Sequence, residues 1–89
     1  MPILLIRHDV EDFVRWKPKF DAHRAARQQA GLHDLHVLRD AEKPSQVTII
    51  CRADDLAQAK EFAGSADLRE AMKGAGVIGQ PDIKILNEA

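Results

Sequence analysis

Two helical stretches have to serve four short apolar runs in this chain, and that ratio narrows the architecture more than any other feature. Residues 3–8, 35–39, 46–52 and 82–87 read as strands, from their length, β-branched content and alternating pattern. Residues 11–30 and 54–73 carry apolar side chains at helical spacing. The order is strand, helix, strand, strand, helix, strand. It is the split β-α-β arrangement of an α+β ferredoxin-like sandwich, a four-stranded antiparallel sheet with its helices on one face. One domain, residues 1–89, takes up the chain.

The opposite face of the sheet is then bare. Its expected side chains are Leu4, Ile6, Leu38, Ile50 and Leu86, interleaved with His8, His36, Thr48, Arg52 and Lys84. Five aliphatic side chains in water form a larger apolar patch than soluble monomers usually show. An 89-residue chain also buries little surface by itself. A second copy laid face to face, giving a homodimer, answers both demands.

Local punctuation sets the boundaries. Asp9, with Asp12 three positions on, is the expected N-cap of the first helical stretch. Pro18 lacks the N–H a helix interior needs, so the stretch should break into residues 11–16 and 17–30. Gly31 supplies the left-handed cap. The polar DAEKPSQ segment turns residues 35–39 back onto 46–52. Asp54 or Asp55 caps a helix running to Ala63, Gly64 ends it, and Ser65 caps a further piece to Lys73. The GAGVIGQP segment reads as a glycine-punctuated loop, since its glycines follow a helix and precede a strand, the reverse of a dinucleotide-binding fingerprint.

Composition closes off several function classes. With 13 basic and 14 acidic residues the formal charge is -1, and no basic block offers a surface for nucleic acid. No apolar run approaches the roughly 18 residues of a membrane span, and MPILLIRHD is charged too early for a signal peptide, so the expected compartment is the cytoplasm. The single cysteine, Cys51, excludes an internal disulfide and reads as buried filler. His33 and His36 are an odd number of positions apart, which in a regular strand sends them to opposite faces. No metal or cofactor is therefore expected.

The candidate site lies between Val10 and Gly31, a stretch holding the only Trp and two of the three Phe. On a helical wheel Phe13, Trp16, Phe20, His23, Arg24 and Arg27 share one arc, with Val14, Pro18, Ala22, Ala25 and Ala26 roughly opposite. Trp16 and Phe20 are either a ligand-stacking wall or plain core. His23 and Arg27, four apart, meet on one helix face. There His23 can act as general acid or base and Arg27 can stabilise negative charge on a ligand. Phe13 and Arg39 join Trp16 and Phe20 as ligand-binding candidates, while dimer packing accounts for Arg39 and His8 equally well.

The pattern Val10, Asp12, Phe13, Trp16, Lys17, Pro18, Phe20, Asp21, His23 and Arg27, then Gly31, Arg39, the Pro44 turn and the ADLREAMKGAGVIGQPDI ending, resembles the dimeric α/β-barrel superfamily. Within it the chain is similar to small proteins akin to antibiotic-biosynthesis monooxygenases and polyketide-cyclase-like proteins. The resemblance implies two sheets closing a shared barrel and a small-molecule cleft between sheet and helices in each subunit. The expected function is a homodimer binding a small organic molecule, acting as a cofactor-independent monooxygenase-like or cyclase-like enzyme on a small aromatic or polyketide-like compound. The alternative is a non-catalytic, stress-associated or interaction protein whose dimer is its whole business.

Overall fold

Alternating burial along the strands shows how the sheet is built. A computed structural model describes all 89 residues. In chain order they form β1 (Pro2–Val10), α1 (Phe13–Ala22), α2 (Arg24–Gln29), β2 (Leu32–Arg39), β3 (Gln46–Ala53), α3 (Leu56–Ala63), α4 (Ala66–Gly74) and β4 (Val77–Asn87). Every strand pairing is antiparallel and the order across the sheet is β2-β3-β1-β4. This is the ferredoxin-like arrangement expected from the order of elements.

Leu4, Ile6, His8 and Val10 of β1 and Val47, Ile49, Cys51 and Ala53 of β3 are buried on the helix-bearing face. The open face therefore carries Ile3, Leu5 and Arg7, not Leu4, Ile6 and His8 as the sequence reading had it. Both alternating sets of β1 are apolar, so period-two patterning does not choose between them. Pairing with β3 decides it, because Cys51, Ile49 and Val47 lie opposite Leu4, Ile6 and His8, while Arg52, Ile50 and Thr48 lie opposite Ile3, Leu5 and Arg7. The expected open-face positions Leu38, Ile50 and Leu86 stand, and Ile3 and Leu5 take the places of Leu4 and Ile6.

The first helix starts at Phe13, with Asp12 as its N-cap: Asp12 Oδ1 accepts from the Val14 N–H at 2.9 Å. Asp9 lies within β1 instead, paired with Gln46 and Ile78. Pro18 sits inside α1 without breaking it, and the break falls at His23, five residues later. The carbonyl that Pro18 leaves unbonded belongs to Val14, which is 78% exposed, so water can serve it. Gly31 closes α2 with φ of 77°, as its glycine predicts. Asp55 caps α3 through the Ala57 and Gln58 N–H groups, and Ser65 caps α4 through Leu68 N–H.

All four strands run longer than their sequence patterns suggest, and in β2 and β4 the extra length changes the reading. The β2 strand begins at Leu32 and holds a bulge between Asp34 and His36. His33 pairs with Arg52 and His36 with Ile50, so the extra residue puts both histidines on the open face, contrary to the spacing argument. The β4 strand begins at Val77, and the glycine-rich segment is no loop: Val77 and Ile78 pair with Val10 and Asp9, and a register shift carrying Gly79 at φ of 70° joins them to Asp82.

Candidate functional site

Where α1 and α4 lean over β1 and β3 they leave a narrow cleft with a volume of about 50 Å³. Its floor is Ile6, His8 and Ile49, one wall is Trp16, Phe20 and His23, and the facing wall is Phe62, Leu68 and Met72. Lys19 bridges its edge, donating from Nζ to the carbonyl of Gly74 at the end of α4 over 2.7 Å. The space is smaller than the roughly 150 Å³ cavity known to accept benzene in another protein, so a ring-sized guest has to push flexible side chains aside. Met72, unbranched and soft, is the natural one to move.

The sequence-selected residues divide. Trp16, Phe20, His23 and Arg27 come together at the cleft; Phe13 and Arg39 stay outside it. Phe13 backs Trp16 with ring centres 5.7 Å apart, and the Arg39 guanidinium lies 4.1 Å over the Phe13 ring while Nε donates to the Pro44 carbonyl. These two form a layer behind the aromatic wall. Trp16 and Phe20 stack at 4.8 Å, and His23, where α1 gives way to α2, lies 6.4 Å from Phe62.

Arg27 is only 4% exposed, and all three of its side-chain nitrogens are engaged. Nε and Nη2 each donate to one oxygen of Asp34 at 2.9 Å, and Nη1 donates to the Phe20 carbonyl at 2.8 Å. The guanidinium lies flat on the Phe20 ring, 3.7 Å from its centre. A bidentate pair of this kind is strong and directional. Burial on its own would raise the Asp34 carboxyl, but Arg27, helped by the Cys51 thiol and Arg24, holds it below the usual carboxylate range. Cys51 Sγ faces Asp34 Oδ1 at 3.4 Å. Burial and that carboxylate push the thiol up to about 12, which makes Cys51 inert as a nucleophile.

Asp34 is a residue the sequence did not single out, and His8, weighed there as an open-face residue, lies at the cleft instead. Asp34 gave no signal, because a bulged strand hides which face it uses. His8 is 5% exposed, and its ring meets Trp16 edge-on at 5.7 Å. Its Nδ1 is sealed from solvent with no well-formed partner, only its own backbone nearby. Burial keeps its pKa below the ordinary histidine value, against the weaker opposite pull of that backbone and of Asp9. No three side chains of metal-ligating type converge anywhere in the chain.

Comparison with known proteins bears on the fold. The structure superposes on a candidate antibiotic biosynthesis monooxygenase from Bordetella bronchiseptica with a TM-score of 0.78 at 20% identity, covering 99% of this chain and 97% of that one. The chain shares the fold of antibiotic biosynthesis monooxygenases. A similar protein from Deinococcus radiodurans gives a TM-score of 0.69 at 18% identity over 100% of this chain and 93% of that one. SnoaB, a cofactor-independent oxygenase from Streptomyces nogalater, gives 0.71 at 15% identity over 98% and 91%. No family model matches the sequence, and no curated protein matches it. No helix is long and apolar enough to cross a membrane.

Proposed function

We propose that the protein is a homodimer, joined through the open sheet face, that binds a small aromatic or polyketide-like molecule in the cleft under α1 and transforms it without a cofactor, in a monooxygenase-like or cyclase-like reaction. The observation that carries this reading is the cleft itself. It is mostly apolar, it is walled by a stacked Trp16–Phe20 pair, and its polar lining is confined to His8, Lys19, His23 and Arg27. An apolar pocket with a few convergent polar groups is the usual form of a small-molecule site. The likeness to SnoaB, itself a cofactor-independent oxygenase, supports the cofactor-free part of the reading.

His23 is the group that moves a proton, because it lines the cleft and an imidazole can both give and accept one. Arg27, its charge balanced by Asp34, acts as a positioning residue that fixes the Phe20 backbone and ring. A thermal-shift screen of small aromatic compounds against the wild type, His23→Ala and Met72→Phe tests the assignment. Stabilisation by some compounds, lost in Met72→Phe as the larger ring fills the cleft, is the expected result. No stabilisation by any compound favours the alternative, a non-catalytic dimer, to which the small volume of the cleft already lends weight.

A further inference from the structure

Of the polar groups at the cleft, most are already spoken for. The Arg27 guanidinium is balanced by Asp34, and the Lys19 ammonium is bonded to the Gly74 carbonyl at the rim. The α4 side contributes Leu68, Ala71, Met72 and Ala75, none of which carries charge. His23 sits at the outer end, reaching also into the solvent groove with Gln58 and Glu61. His8 differs from all of these. It lies on the floor, it is nearly fully buried, and neither ring nitrogen has a well-formed partner. Only Nδ1 is sealed from solvent, so Nε2 keeps what access the ring has. Nε2, on a ring that lines the cleft and bonded to no other protein group, is the atom a ligand can reach.

Resting on the reading of this cleft as a ligand site, we propose that His8 is the specificity-determining acceptor there: Nε2 takes a hydrogen bond from the hydroxyl of a phenol- or enol-type ligand whose ring lies against Trp16. In the tautomer protonated on Nδ1 the lone pair lies on Nε2. Burial keeps the imidazole neutral, with Asp9 the one acidic neighbour on its own strand and Lys19, His23 and Arg27 the basic groups from the helices. A neutral acceptor selects a hydroxyl donor over a hydrocarbon, and over a carboxylate, which has no proton to give it and loses its hydration in an apolar cleft.

The test uses three matched probes, phenol, toluene and benzoate, with the wild type, His8→Leu and His8→Gln. Phenol should bind the wild type about fivefold more tightly than toluene, the worth of a net hydrogen bond, and benzoate more weakly than either. That preference should vanish in His8→Leu and return in part in His8→Gln. In the wild type, phenol but not toluene should move the His8 Nε2 nitrogen resonance, a readout that holds even if a variant folds poorly. Equal binding of phenol and toluene, or an unchanged preference in His8→Leu, overturns the role of His8 while leaving the cleft as a site. Failure of all three probes to bind sinks both.

Discussion

Arg27 and Asp34 show how far a residue's role depends on neighbours that sequence spacing does not reveal. Helical periodicity correctly sends Arg27 to the aromatic side of its helix, but its partner lies across a bulge on β2, where alternation no longer tells which way a side chain points. A similar difficulty put His8 on the wrong face, because β1 is apolar on both sides. Replacing Arg27 with Leu leaves the Asp34 carboxylate only the longer 3.9 Å contact with Arg24 and strips the Phe20 carbonyl of its donor, which should cost about 2 kcal/mol; a thermal melt reads it as a fall of roughly 8 °C or more. Asp34→Leu on top of Arg27→Leu should restore part of that loss. The pH dependence follows from two depressed pKa values. Asp34, lowered in the fold, contributes stability that is whole at neutral pH and is lost as pH falls below about 4 toward its folded value. His8, also lowered, makes the unfolded chain the better proton acceptor, so stability declines as pH drops below about 6.5 and levels out beneath its folded value. His8→Gln should remove that upper step from a pH series of melts and leave the acidic one.

At the scale of elements, caps were the most legible feature and breaks the least. Gly31, Gly64 and Ser65 stand where expected and Asp55 is the one of the Asp54–Asp55 pair that caps, because a cap is a local demand of one or two peptide groups; only the first helix differs, capped by Asp12 and not Asp9. Pro18 misled because its cost depends on whether the orphaned carbonyl meets water, a matter of which side of the helix faces out. The long β4 strand was hidden because glycines that signal turns also serve bulges. Two substitutions follow. Gly31→Ala forces φ of 77° on a residue with a side chain and brings its Cβ to 2.8 Å from Gln58 Oε1. It should cost about 1 kcal/mol, and a companion Gln58→Ala should recover little, because the cost lies in the backbone. Pro18→Ala should raise stability by about 1 kcal/mol as the missing helix bond forms, less whatever rigidity the unfolded chain loses. Denaturant midpoints at constant slope measure both.

For the whole molecule, the count of helices against strands settled the architecture, and the surface it leaves bare shapes everything further. Ile3 pairs with Leu86 and Leu5 with Ile50 across the open face, with Leu38 at 47% and Leu86 at 43% exposure. The strand phase of β1 was misjudged, yet the face stays apolar either way, because β1 is apolar on both sides. The cleft floor is the reverse side of the same strands, β1 and β3, so a partner sheet packed on the open face would also stiffen the site. Burying about 300 Å² of apolar surface on each subunit contributes on the order of 15 kcal/mol before association costs, which consume much of it. Leu5→Asp, which places a carboxylate at the centre of that face, should separate the subunits. The decisive measurement is the solution mass by light scattering at micromolar concentration. A particle of two chains is expected for the wild type and one for Leu5→Asp; a wild type that stays a single chain contradicts pairing through the open face.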